Sequence, residues 1–215
     1  MPFDICLFDL DGTLTDSKLG ITKSVRYSLS SFGIDAPDPD KLTKFIGPPL
    51  SESFRNYYHL SSVDTETAIK KYREYYSETG IFENTMFHDV PELLKLLKNH
   101  GKVISLATSK PTVFANKILE HFKIIDYFVF VAGSEPDGTR SRKSEVILHA
   151  LDNIRPKKNM SAVIIGDREH DIIGAKEAGI YSIGVTYGYG LREELELAGA
   201  DFIVDSIASL PELIL

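Results

Sequence analysis

The hydrophobic positions of this chain fall into two textures. In the second half, short apolar runs alternate with amphipathic stretches. "VISLA" (103–107), "YFVFVA" (127–132), "AVII" (162–165), "YSIGVT" (181–186) and "DFIV" (201–204) read as strands. They are short, mostly β-branched or aromatic, and near-continuously apolar, as strands buried on both faces are. Between them the apolar spacing changes to i, i+3, i+4, i+7. Val90, Leu93, Leu94 and Leu97 make one such stripe, and Ala115, Ile118, Leu119 and Phe122 a second. Val146, Ile147, Ala150, Leu151 and Ile154 line a third. Each predicts a helix with one core-facing side. Strand–helix alternation predicts an α/β fold: a Rossmann-like parallel sheet with helices on both faces.

An opening strand over 3–8 has the same character, and then the pattern breaks. From residue 16 to 86 no run reads as a strand. Ile21, Val25, Leu29 and Phe32 predict one helix, and Ile69, Tyr72 and Tyr76 another, with turn-rich joints at "DAPDPD" (35–40) and "IGPPL" (46–50). Phe54, Tyr57 and Tyr58 read as core of this block. "ENTMFHDV" (83–90) reads as the return linker, with Asp89 and Pro91 opening the next helix. The expected organisation is therefore a core of 1–15 and 87–215 interrupted by an all-helical insert, 16–86.

Composition narrows the class. With 43% hydrophobic and 26% charged residues among 215, the chain is ordinary for a globular protein. No stretch approaches the roughly 20 apolar residues of a membrane span. "MPFDICLFDLDG" lacks the basic start of a signal peptide, and the single cysteine, Cys6, sits inside the first apolar run. A cytoplasmic protein without membrane association is expected. A net charge of −7 argues against nucleic-acid polymers as partners, which need clustered cations. It leaves room for a small phosphorylated metabolite.

In open α/β sheets, ligands bind outside the carboxyl ends of the strands. Asp9 and Asp11 follow the first strand; Thr108, Ser109 and Lys110 follow "VISLA"; Asp167, then Asp171, follow "AVIIG". The basic run "TRSRKSE" (139–145) precedes a helix. Clustered carboxylates suit Mg²⁺, a hard cation that takes oxygen ligands at about 2.1 Å. A hydroxyl and a lysine suit the charge of a transferring phosphoryl group. An aspartate can be the covalent nucleophile and a second carboxyl the general acid/base. Singly, these residues have ordinary readings: Thr108 as a helix cap, Asp16 as a cap of the first inserted helix, His88 and His170 as surface groups. "GYG" (188–190) lacks the third glycine of a dinucleotide fingerprint.

The motifs in order resemble the haloacid dehalogenase superfamily. "DLDGTLTDS" (9–17) is similar to its first motif, "LATSKP" to the second, Lys143 in "SRKSEV" to the third, and "IIGDREHDIIGAKEAGI" to the fourth. The likeness spans essentially the whole chain. It implies a Mg²⁺-dependent phosphatase. Asp9 would be nucleophile and metal ligand, and Asp11 acid/base with its carbonyl on the metal. Thr108 and the Ser109 amide would hold phosphate, and Lys143 would neutralise it. Asp167 and Asp171 would complete the metal site, and 16–86 would be the helical cap that selects the substrate. "FIGPPLSESF" and "DGTRSRKSEVI" are similar to a 5′-nucleotidase-like subset; a phosphoglycolate phosphatase pattern is the neighbouring one. Two departures stand out: "HDV" (88–90) where Pro-Gly is usual, and Ser144 after Lys143, with Arg140 and Arg142 nearby. A sugar-phosphate mutase on the same scaffold is the alternative activity. A receiver-type phosphoacceptor domain is the non-enzymatic one, which the long helical insert disfavours.

Overall fold

The computed structural model describes residues 2–35, 38–135, 137 and 139–215. The turn-rich stretch 35–40 therefore lies partly outside the described residues. The chain divides into two compact units, Met1–Thr15 with Met86–Leu215, and Asp16–Thr85. The first unit opens with β1 (Ile5–Phe8). The chain leaves it at the two-residue strand β2 (Thr15–Asp16) and returns at β3 (Thr85–Met86). Between these lie α1 (Lys18–Ser30), α2 (Leu50–Tyr58) and α3 (Ser62–Tyr76). After the return come α4 (Val90–Asn99), β4 (Val103–Pro111), α5 (Thr112–His121), β5 (Phe130–Ser134), α6 (Lys143–Ile154) and β6 (Ala162–Gly166). Then follow α7 (Glu169–Ala178), β7 (Tyr181–Val185), α8 (Arg192–Ala198), β8 (Phe202–Val204) and α9 (Leu210–Ile214).

Six of the strands form one sheet in the order β5-β4-β1-β6-β7-β8, and its paired strands run parallel. Both faces are covered. Ile5 and Leu7 of β1 pack with Val146, Ile147 and Ala150 of α6 and Ala175 of α7. Cys6 and Phe8, which point the other way along the strand, are equally buried. That two-sided burial is why the strands are continuously apolar. The connection order reverses at β1: the chain first builds outward through β4 and β5, then returns to β1 and builds the other way through β6. Such a switch point opens a crevice beyond the strand ends. Here β4, β1 and β6 are adjacent, so their C-terminal ends meet at that crevice.

One strand lies three residues downstream of its expected place. Residues 125–127 form a short 3₁₀ turn, and β5 starts at Phe130. It continues through Gly133, where a Cβ would sit 2.5 Å from the Lys110 carbonyl oxygen. A glycine and a serine thus end the strand for reasons of close packing that no hydrophobic pattern carries.

In the helical unit, α1 buries Ile21, Val25 and Leu29, and α3 buries Ala68, Tyr72 and Tyr76. The Ser28 hydroxyl donates to the Ala68 carbonyl across them at 2.7 Å. Asp16 accepts the Lys18 amide at 3.0 Å at the start of α1. Ser61 caps α3 by accepting the Asp64 amide at 3.1 Å. α2, which the apolar spacing does not announce, packs by Phe54, whose ring lies 5.1 Å from that of Phe45. Tyr57 completes the cluster but is 39% exposed, so it is only partly core. No helix among the described residues is long and apolar enough to cross a membrane.

Candidate active site

β1 ends at Phe8, and the Asp9 amide still donates to the Ile165 carbonyl of β6 at 2.9 Å. Asp9 is therefore fixed by the sheet. Beyond it the chain turns tightly: the Leu14 and Thr15 amides both donate to the Leu10 carbonyl, at 2.9 and 3.0 Å. Asp11 lies within that turn. β4 loses its regular pairing between Ala107 and Pro111, and the irregular stretch carries Thr108, Ser109 and Lys110 to the rim. The Thr108 hydroxyl accepts the Lys110 amide at 3.3 Å, a turn contact rather than a helix cap, since α5 starts at Thr112. The Ser109 carbonyl is held by the Ser134 hydroxyl at 2.7 Å.

β6 supplies Asp167, which is fully buried. Asp171 sits in the first turn of α7, with its carboxylate divided between two duties. Oδ2 accepts the Arg168 amide at 3.1 Å and so caps the helix. Oδ1 lies 2.8 Å from Lys143 Nζ as an ion pair. Lys143, the first residue of α6, also donates to Asp9 Oδ1 at 2.7 Å and to the Ala107 carbonyl at 3.0 Å. Its approach depends on Gly174, where a Cβ would fall 2.8 Å from Lys143 Cγ. The two nearby arginines are engaged elsewhere. Arg140 binds the Gly133 carbonyl and Glu135, and Arg142 binds Glu177. Lys143 is thus the cation of "TRSRKSE" that reaches the carboxylates.

The electrostatics follow from burial. Desolvation, then the charges of Asp171 and Asp9, pushes the Asp167 carboxyl well above its ordinary value. Desolvation also raises Asp171, against the pull of Lys143. Burial works to lower Lys143, but the carboxylates of Asp171 and Asp9 outweigh it, and the ammonium is held above the ordinary lysine value.

Residues 6–185 match the family model of haloacid dehalogenase-like hydrolases. This chain belongs to that family. It is 43% identical over 211 residues to a 5′-nucleotidase of Pseudomonas aeruginosa, covering 97% of this chain and 94% of that one. It is 38% identical to a tyrosine-protein kinase, PtkA, of Mycobacterium tuberculosis, covering 97% of this chain and 70% of that one. A crystal structure described as a predicted phosphatase from Clostridium acetobutylicum superposes with a TM-score of 0.96 at 48% identity, covering 100% of this chain and 99% of that one.

In this haloacid dehalogenase-like hydrolase, oxygens of Asp9, Asp167 and Asp171 all lie within 4.8 Å of one another. The charge inventory tests whether a cation fits there. Four buried carboxylates (Asp9, Asp11, Asp167, Asp171) face two buried ammonium groups, Lys143 and Lys110. Two negative charges remain, and oxygen donors of this kind suit a divalent cation. The donor set fits.

Further contacts hold the carboxylates in place. Lys110 pairs with Asp11 at 2.8 Å. "GYG" has a structural role: the Tyr189 amide donates to Asp167 Oδ2 at 2.8 Å, and a Cβ on Gly188 would lie 2.4 Å from Asp167 Cβ. The Tyr187 hydroxyl donates to the Thr13 carbonyl at 3.0 Å. Burial, then the nearby Asp167 charge, pushes that phenol up, so it stays a neutral donor. For the contacts of 187–189 the sequence signal is the pair of glycines, whose missing side chains let backbone reach a carboxylate.

Proposed function

We propose that this chain is a Mg²⁺-dependent phosphatase that hydrolyses small phosphomonoesters through an aspartyl-phosphate on Asp9. The observation that carries this reading is the position of Asp9 at the switch point, held by Lys143 and flanked by Asp167 and Asp171. Asp9, Asp167 and Asp171, with the Asp11 carbonyl, would hold Mg²⁺. The ion supplies charge neutralisation for the substrate phosphate beside the carboxylates.

In the first step an Asp9 oxygen bonds to phosphorus while the bond to the ester oxygen breaks. The ester oxygen leaves with that electron pair and takes a proton from Asp11. In the second step water attacks phosphorus and gives its proton to Asp11. The Asp9–phosphorus bond breaks, restoring the carboxylate and freeing phosphate. Lys143 fixes Asp9 and offsets its charge, and Thr108 and Ser109 receive the phosphate oxygens. The unit of residues 16–85 acts as the cap and chooses the substrate. Similarity to the Pseudomonas 5′-nucleotidase favours nucleoside 5′-monophosphates over phosphoglycolate, the substrate class in the names of relatives near 30% identity.

A phosphate-release screen with Mg²⁺ tests the reading against nucleoside monophosphates, phosphoglycolate and sugar phosphates. Release from nucleotides, abolished by Asp9→Asn, is expected. Transfer of phosphate from ATP to a protein tyrosine without hydrolysis of any small ester would overturn it, as would isomerisation of a sugar phosphate.

A further inference from the structure

Asp11 uses its two oxygens unequally. Oδ2 is paired with Lys110 Nζ at 2.8 Å, with both side chains under a tenth exposed. Oδ1 is buried and has no hydrogen-bond partner among the described residues. Leaving a buried polar atom unmet costs about 1–3 kcal/mol, so its persistence points to a group that arrives during turnover. The backbone around Asp11 is already fixed, because the Gly12 amide donates to the Thr15 carbonyl at 2.7 Å and the Thr13, Leu14 and Thr15 amides donate to the Leu10 carbonyl. What remains free is the rotation of the carboxylate itself. Lys110 is placed to stop it, since its own backbone is tied to Thr108 and its carbonyl is packed against Gly133.

We infer that Lys110 is a positioning residue that clamps Asp11 Oδ2 and thereby presents Oδ1 as the oxygen that exchanges protons with the ester oxygen and the attacking water. This rests on the reading of Asp11 as acid/base given above. The clamp leaves the atom balance of both steps unchanged: Oδ1 gives its proton as the phosphorus–ester bond breaks and regains one from water, and Lys110 takes no part in the transfer. Because the clamp acts on protonation of the leaving group, its importance depends on how badly that group needs a proton.

The test compares an alkyl phosphate, whose alkoxide needs a proton to leave, with p-nitrophenyl phosphate, whose phenolate does not. Single-turnover rates are measured for wild type, Lys110→Met, Lys110→Gln and Lys110→Arg, each also in an Asp11→Asn background. In Lys110→Met and Lys110→Gln the alkyl ester should be cleaved on the order of tenfold more slowly or worse, with KM little changed. The first release of p-nitrophenolate should stay near the wild-type rate. Lys110→Arg should recover part of the loss. In the Asp11→Asn background the Lys110 substitutions should add nothing. Equal slowing of both esters, an undiminished loss without Asp11, or a KM rise at unchanged kcat would overturn the clamp. Full activity of Asp11→Asn alone would overturn the acid/base reading and the clamp with it.

Discussion

Asp167 is the carboxylate most exposed to the consequences of its own charge. It is fully buried, its direct donors are the Tyr189 amide at 2.8 Å and the Thr13 hydroxyl at 3.5 Å, and Asp9 and Asp171 stand beside it. Replacing it by asparagine keeps an oxygen for the Tyr189 amide and removes one of the two uncompensated charges. Neutralising a poorly compensated buried charge is worth about 1 kcal/mol or more, so metal-free Asp167→Asn should melt a few degrees above metal-free wild type. The sign with pH follows from the raised carboxyl. A group whose folded value lies above its unfolded one supplies stability that is present below about 3.8 and is lost as pH climbs through the raised value. The melting gap between the two proteins should therefore open as pH rises from acid toward neutral. Mg²⁺ should reverse the order. At a hundredfold excess over Kd, binding stabilises the wild type by about 2.7 kcal/mol, or roughly 5–10 °C for a chain of this size, and the variant by much less. Differential scanning calorimetry on chelator-stripped protein, with and without MgCl₂, measures all of this. A metal-free variant that melts below wild type, or that keeps the full Mg²⁺ shift, would refute the reasoning.

Three further expectations rest on the same geometry. Gly12 has φ +84°, and a Cβ there would lie 2.2 Å from Asp167 Oδ2; Gly12→Ala should cost at least about 1–2 kcal/mol by thermal unfolding and displace Asp167, so that Mg²⁺ stabilisation falls too. Lys143→Met leaves Asp9 and Asp171 buried without their cation and should lower metal-free stability by about 3–5 kcal/mol in urea titration. Cys6 is buried in β1, and burial, partly countered by Lys102 and reinforced by Asp4, pushes its thiol up to about 12; it should resist iodoacetamide in the folded protein and react at once in denaturant.

Much of this molecule is written in its apolar periodicity. The parallel sheet is legible because two-sided burial forces continuous hydrophobic strands, and the helices of the first unit because one face of each meets that sheet. β5 is misplaced by pattern because its first aromatic residues form a turn and its last positions are a glycine and a serine chosen by a neighbouring carbonyl. α2 escapes because it buries little beyond Ser53 and Phe54. In the site, Asp9, Asp11, Thr108, Lys143, Asp167 and Asp171 stand out as polar groups at the ends of apolar strands or at the start of the next helix. Lys110 also stands at the end of "VISLA", but its partner is not legible there; only the fold reveals that it faces Asp11. Gly188 and Gly190 read only as an incomplete dinucleotide fingerprint until Asp167 is found packed against them.

The central claim is that Asp9 carries the phosphoryl group. Rapid acid quenching during turnover of the preferred phosphomonoester, followed by mass spectrometry of the peptide containing residue 9, tests it directly. The account predicts phosphate on Asp9, formed no more slowly than product is released and absent in Asp9→Asn. Phosphate release at full rate with Asp9 never modified, or with the group on another residue, would contradict it.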